Sequence, residues 1–266
     1  MPKQSPPPDW IVPKVTIAVA AAPRTGSNYL GELMLRTGRL GQPLEYFHPA
    51  FLRGGNRQQL SVIERFSLLA ERGLSSNGVA STKFFASQFE WLTGEVRVAD
   101  WLGTPRWVWL RRRDLLGQSI SYAIALQTRA YESFSQAQAE PAYDGSAILK
   151  AMNRLVRSEA QWRSYFARTG IVPLELFYED IEADPAGTLA RIAALAEVTL
   201  EAGHQAIAER HQRQSTSRNA QWREQFLAEH GDPEVLAVPA MQKDSAPRVP
   251  KAPPSLLRRI RRKLGI

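Results

Sequence analysis

Hydrophobic positions recur along the chain with two periods. Val15–Ala21 (VTIAVAA) is an uninterrupted β-branched and alanine-rich run, the pattern of a strand buried on both faces in a parallel sheet. After the break at Pro23, helical spacing predicts a helix over Asn28–Thr37, stopped by Gly38, and then a turn at Gly41–Pro43. Leu60, Ile63, Phe66 and Leu69 fall on one helical face and predict a helix over Arg57–Arg72, ended by Gly73. GVASTKFF (Gly78–Phe85) reads as a second strand. RWVWLRR (Arg106–Arg112) reads as a third, running straight into a helix from Asp114 to about Gln127. The polar stretch Arg129–Gly145 predicts a loop or irregular insertion, and Ala147–Ala167 a long amphipathic helix. Val172–Phe177 supplies a fourth strand, and Asp184–Ala196 a helix with Pro185 in its first turn.

Strands alternate with helices at a spacing that suits crossover units, so the expected fold is α/β. It is a single domain over residues 14–240, with a central, mainly parallel sheet flanked by helices. Residues 1–13, polar and proline-rich, read as a disordered arm, and residues 241–266 as a proline-rich linker followed by a basic amphipathic tail. No internal repeat is evident.

Composition narrows the function. No cysteine is present, so disulfides, thiolate metal sites and a thiol nucleophile are excluded. No secretory signal or membrane-spanning stretch is recognisable, and the expected location is the cytoplasm. The net charge of +8 invites a nucleic-acid reading, but residues 243–266 alone carry eight basic side chains and one acid. The body is therefore close to neutral, and a nucleic-acid partner is not expected. In the tail, Leu256, Leu257, Ile260 and Leu264 fall near one helical face amid basic residues. Such a segment can lie on an anionic membrane surface or remain a solvated end.

The chemistry concentrates in two segments. In AAPRTGSN the strand breaks into a turn at Pro23–Asn28, ahead of a helix whose first amides lack intrahelical partners. Gly26 lets backbone approach an anion, Arg24 offers a bidentate pair, and Thr25, Ser27 and Asn28 add donors. The alternative is a plain turn with Thr25 or Ser27 as helix cap. The common phosphate loop, with its Lys-Ser/Thr pair, is absent, and no acid placed to hold Mg²⁺ is evident. In WVWLRRRDLLGQSISY, three arginines end a strand and Arg113 stands eight residues before Ser121, close enough across the corner for both to grip one further phosphate.

PRTGS after a strand, then RRD…SISY, then FYEDIEADPAGTLARIAAL, resemble the PAPS-dependent sulfotransferases, PAPS being 3′-phosphoadenosine-5′-phosphosulfate. With GQPLEYFHP, VWLRRRD…QTRAYES and RQSTSRNAQWREQF, the chain is similar to the Stf0 type from about Val15 to Phe226. The resemblance implies a P-loop-like sulfotransferase fold and transfer of a sulfuryl group from PAPS, without a metal, to a carbohydrate or glycolipid hydroxyl. It also implies a homodimer. Arg24, Thr25, Gly26, Ser27 and Asn28 would bind the 5′-phosphosulfate, and Arg113 with Ser121 the 3′-phosphate. A late loop with Arg213 and Gln214 would return to the nucleotide. Many cytosolic relatives place a histidine base soon after a lysine on the second strand; STKFFASQF keeps Lys83 but has Phe84, Phe85 and Gln88 there. The Stf0 resemblance implies instead a glutamate base, which maps to Glu45, with Lys83 and Arg24 near the bridging oxygen and His48 in reserve. Glu45, Tyr46, Phe47 and His48 would meet the acceptor, with the region Gln127–Tyr143. Tyr178 and Glu179 are expected to organise the fold. A phosphoryl-transfer enzyme on a related fold, and a noncatalytic nucleotide-binding protein, are the rival readings.

Overall fold

The computed structural model describes residues 3–48, 60–129, 140–200 and 217–235. Its centre is a parallel sheet in the order β2-β1-β3-β4, made of β1 (Val15–Ala21), β2 (Val79–Phe85), β3 (Arg106–Arg111) and β4 (Leu174–Phe177). Between and after them run α1 (Ser27–Arg36), α2 (Val62–Leu68), α3 (Ala86–Glu95), α4 (Val98–Leu102), α5 (Leu115–Thr128), α6 (Gly145–Thr169), α7 (Tyr178–Ala183), α8 (Pro185–Leu195) and α9 (Ser217–His230). Alternation along β1 explains the layering. Ile17, Val19 and Ala21 share one buried cluster with Leu30, Leu33 and Met34 of α1 and Leu189 and Ile192 of α8. Ala18 and Ala20 face the other way, among Phe84, Trp107, Trp109, Phe89 and Trp162. The register sets Ala18 beside Trp107, and Ala20 beside Phe84 and Trp109, so small residues on the central strand make room for large rings on its neighbours.

This strand order fixes where a ligand can sit. From β1 the chain moves outward to β2; from β3 it moves outward to β4. A crevice therefore opens at the carboxyl ends of β1 and β3, the topological switch point of an open α/β sheet. The turn after β1 and the arginines after β3 both lie there.

Most expected elements are present, with ends shifted by a few residues. The second predicted helix is shorter and compound. Ser61 and Glu64 form a reciprocal capping box at the start of α2, and the chain tightens into a π-helical turn over Leu69–Gly73. Four helices lack a clear sequence signal. The helix α3 follows β2 directly, without a conventional capping residue, and contains Gly94; α4 and α7 are only five and six residues long. The fourth, α9, buries only Trp222 and Phe226.

The amino-terminal arm departs from expectation. Gln4 bridges to Val96, and the Trp10 ring packs 5.3 Å from Trp101 and 5.7 Å from Phe66. Trp10 Nε1 donates to the Trp101 carbonyl at 3.0 Å. The overlooked cause is Trp10 itself, an aromatic anchor in an otherwise polar segment. The chain divides into two compact units, Met1–Asp232 and Pro233–Ile266. All the elements above belong to the first, and the basic tail lies outside the described residues. Among the described residues no helix is long and apolar enough to cross a membrane.

Docking of the arm has a measurable consequence. Trp10→Ala should lower stability to urea by about 2 kcal/mol, the scale for losing a half-buried aromatic and its hydrogen bond. An unchanged midpoint would mean that the arm contributes nothing to the fold.

Candidate active site

The turn leaving β1 is built from two left-handed residues, Arg24 (φ 64°) and Gly26 (φ 79°). For a non-glycine residue such as Arg24 that conformation is uncommon and costs energy. At Gly26 the requirement is double, because a Cβ there would stand 2.2 Å from the Tyr178 ring. Gly26 is also the residue before α1 and provides no side-chain cap. Thr25 does not cap either: its hydroxyl donates to the Ala22 carbonyl at 2.9 Å. The first-turn amides of α1 thus face the crevice without a side-chain cap, the arrangement that favours an anion.

Around this turn the site assembles from three other segments. From α5, Ser121 Oγ accepts a hydrogen bond from Arg24 Nε at 2.9 Å. From the end of β3, Arg112 donates to the Arg24 carbonyl at 3.3 Å and lies over the Tyr178 ring at 5.1 Å. Its Nε is buried with no hydrogen-bond partner among the described residues. Burial first, and then the charge of Arg112, push the Arg24 guanidinium below its ordinary proton affinity. Two guanidinium groups held side by side, one with a buried donor left over, are a demand for negative charge.

The third segment carries Glu45. Leu44 forms a bridge with Thr82, and its carbonyl accepts from Lys83 N at 3.0 Å, which fixes the chain beside the end of β2. The side chain of Lys83 is 3% exposed; its Nζ lies 3.1 Å from Glu45 Oε1 and donates to Asn28 Oδ1 at 2.6 Å. The other Glu45 oxygen accepts from Gln88 Nε2 at 2.9 Å. Gln88 is itself fixed, because its Oε1 accepts from Phe85 N at 3.0 Å. A carboxylate is therefore tethered through one buried lysine to the first turn of α1.

Not every expected site residue arrives at the crevice. Tyr46 and Phe47 are fully buried. The Tyr46 hydroxyl donates to the Gln42 carbonyl, and Phe47 packs on Phe66 and Phe84. They support the Glu45 segment from beneath and do not offer faces to a sugar. His48 closes a turn onto the Glu45 carbonyl, and its own carbonyl accepts from buried Arg65 at 2.6 Å.

Arg113 does not join Ser121. It makes a bidentate pair with Asp180 at 2.6 and 2.7 Å and lies on the Phe177 ring at 4.2 Å. Its amide, with that of Asp114, donates to the Glu179 carboxylate. Side chains at a strand end alternate in direction, so of three consecutive arginines the middle one reaches the turn. Arg112 is thus a site residue that the eight-residue spacing to Ser121 concealed. Gln88 and Gln118 were also missed, since glutamine carries no motif of its own. Arg213, Gln214 and residues 130–139 of the expected acceptor region lie outside the described residues.

Asp114 ties the corner to α9. It caps α5 by accepting from Gly117 N, and both its oxygens accept from Arg223 at 2.6 Å. Burial lifts its carboxyl, but the hydrogen bonds from Arg223 and Gly117 outweigh that and hold it below the usual carboxylate range. A depressed folded value stabilises the protein above the unfolded value, and the contribution disappears as pH falls through the folded one. After discounting for solvent, Asp114→Asn should cost about 1 kcal/mol in urea near neutral pH, with the gap to wild type closing in acid as pH falls through the depressed folded value. A gap that persists in acid would assign the effect to something other than the ion pair.

The family model for the Stf0 sulphotransferases matches residues 80–229, more than half of the chain. The turn after β1 and Glu45 precede the matched segment. Trehalose 2-sulfotransferase of Mycobacterium tuberculosis (strain ATCC 35801 / TMC 107 / Erdman) is 23% identical over 253 residues, covering 79% of this chain and 94% of its own. Among solved structures, the sulfotransferase domain from the curacin biosynthetic pathway aligns with a TM-score of 0.43 at 12% identity, covering 79% of this chain and 82% of its own. Sulfotransferase STF1 from Mycobacterium tuberculosis H37Rv aligns with a TM-score of 0.40 at 14% identity, covering 83% and 78%. The chain belongs to the Stf0 sulphotransferase family.

Proposed function

We propose that the protein moves the sulfuryl group of PAPS to a hydroxyl of a carbohydrate or glycolipid, with Glu45 as general base. One observation carries the reading: Lys83 Nζ is bonded at once to Asn28, in the first turn after the anion turn, and to the Glu45 carboxylate. Donor site and base are thereby neighbours across a single ammonium group.

In this reading Arg24 and the amides of Thr25–Asn28 hold the 5′-phosphosulfate. Ser121, with Arg112 in place of the expected Arg113, receives the 3′-phosphate. Glu45 takes the proton of the acceptor hydroxyl as its oxygen bonds to sulfur. The sulfur–oxygen bond to the 5′-phosphate breaks, and its electron pair leaves on adenosine 3′,5′-bisphosphate. Arg24 and Lys83 act where that charge develops, and stabilise it more in the transition state than in the ground state. The named activity of the mycobacterial relative supports a carbohydrate acceptor. No metal enters the scheme.

Calorimetric titration with adenosine 3′,5′-bisphosphate in EDTA tests the donor. We expect tight binding, weakened at least about 100-fold by Arg24→Ala or Arg112→Ala, each removing a charged donor from a desolvated site, and changed less than about threefold by Arg113→Ala. Binding of ATP with Mg²⁺ in place of the bisphosphate would overturn the reading in favour of phosphoryl transfer.

The base has its own assay, with PAPS as donor and trehalose as probe acceptor. Glu45→Gln should lower kcat by about 10²- to 10⁴-fold while leaving bisphosphate affinity unchanged. Retained turnover in that variant would remove Glu45 from the chemistry.

A further inference from the structure

The four carbonyl groups from the end of β1 into its turn, Ala21 to Arg24, are held in an unusual way. Ala21 O accepts from Trp162 Nε1 at 3.1 Å, and Ala22 O accepts from the Thr25 hydroxyl at 2.9 Å. Pro23 O accepts from Gln118 Nε2 at 2.7 Å, and Arg24 O accepts from Arg112 at 3.3 Å. Four consecutive carbonyls are thus each held by a side-chain donor, and three of those donors come from outside the turn. Backbone partners, the usual solution for buried peptide groups, are replaced here by side chains.

Peptide planarity gives this a consequence. In a trans peptide the carbonyl and the following N–H point in opposite directions. Anchoring Pro23 O on α5 therefore aims the Arg24 N–H away from α5, and anchoring Arg24 O aims the Thr25 N–H likewise. A carbonyl oxygen that swung toward the anion would repel it. Held back and hydrogen-bonded, it leaves the amide edge of the turn as the face presented. The left-handed Arg24 is the residue most in need of such restraint, since its relaxed conformations would rotate both flanking peptides.

We propose that Gln118 is a positioning residue for the donor site: by holding the Pro23 carbonyl it keeps the strained turn in the conformation whose amides face the donor anion. The assignment rests on the donor reading above. Gln118 is 2% exposed and one turn of α5 from Ser121, so it holds the Pro23 carbonyl while Ser121 accepts from the Arg24 side chain. Among the four donors it is the informative one to alter. Arg112 adds charge to the site, Thr25 belongs to the turn, and Trp162 fills the core between Phe89 and Phe166.

Two substitutions of similar size separate positioning from packing. Gln118→Met keeps the volume and loses the donor. It should weaken adenosine 3′,5′-bisphosphate by about tenfold in calorimetry, the scale of one buried hydrogen bond. Gln118→Glu can donate only when its carboxyl is protonated. Its bisphosphate affinity, relative to wild type at the same pH, should be poor near pH 8 and recover toward pH 5. A packing role predicts no such recovery. Equal affinity of wild type and Gln118→Met, or a Gln118→Glu deficit independent of pH, overturns the proposal while leaving the donor reading intact. A wild type that does not bind the bisphosphate overturns both. If Gln118→Met does not fold, the pH dependence of Gln118→Glu decides alone.

Discussion

The left-handed backbone at Arg24 and Gly26 is the constraint around which the rest of the site is arranged. A strand that ends in two such residues turns back sharply enough to bring a helix terminus to the sheet edge, but it does not hold that shape by itself. Tyr178 packs against the face of Gly26 where a side chain would be, and Gln118, Arg112 and Trp162 hold the carbonyls. These residues come from α5, α6, the end of β3 and the start of α7. The strain is local, and the restraint is supplied by elements far away in sequence. Most of the fold between β3 and α7 therefore serves the geometry of a few peptide groups.

Burial of polar groups follows the same logic. Thr25, Lys83, Gln88 and Gln118 are all nearly inaccessible, yet each has a specific hydrogen-bond partner. Desolvating such groups without partners would cost roughly 1–3 kcal/mol apiece. With partners they cost little and gain definition, since a network of satisfied groups admits fewer alternatives than an apolar interface. Glu45 illustrates the gain. Lys83 takes one carboxylate oxygen and Gln88 the other, so the orientation of the carboxylate is set by the fold itself.

The sheet and its major helices were legible in the sequence because their signals are local. The uninterrupted apolar run of β1, the glycine stop after α1, and Pro185 at the start of α8 each act within a few residues. The turn after β1 was legible for the same reason, through Gly26 and its polar neighbours. Arg113 against Arg112 was not, because the choice depends on side-chain alternation at a strand end and on acids some 65 residues away. Tyr46 and Phe47 misled in a related way: aromatic residues beside a candidate carboxylate carry the same letters whether they face a ligand or the core. Trp10 misled by its surroundings, a single anchoring ring among prolines.

Charge is what finally separates the arginines. Asp180 and Glu179 engage Arg113 and the backbone of the corner, and Arg111 pairs with Glu159 and Glu175 on the far face of the sheet. For Arg112 the nearest carboxylate oxygen, on Asp114, lies 4.0 Å away, and Asp114 is itself drawn to Arg223 at 2.6 Å. Acids are thus distributed to neutralise the outer two arginines of the run, leaving the middle one beside Arg24. Two like charges in a half-buried crevice repel, and their repulsion is relieved only by an anion between them or by water. A site prepared in this way favours an anionic ligand over a neutral one. The same repulsion would make binding weaken with salt less steeply than at an exposed basic patch, because the pair is shielded from the ions that screen it.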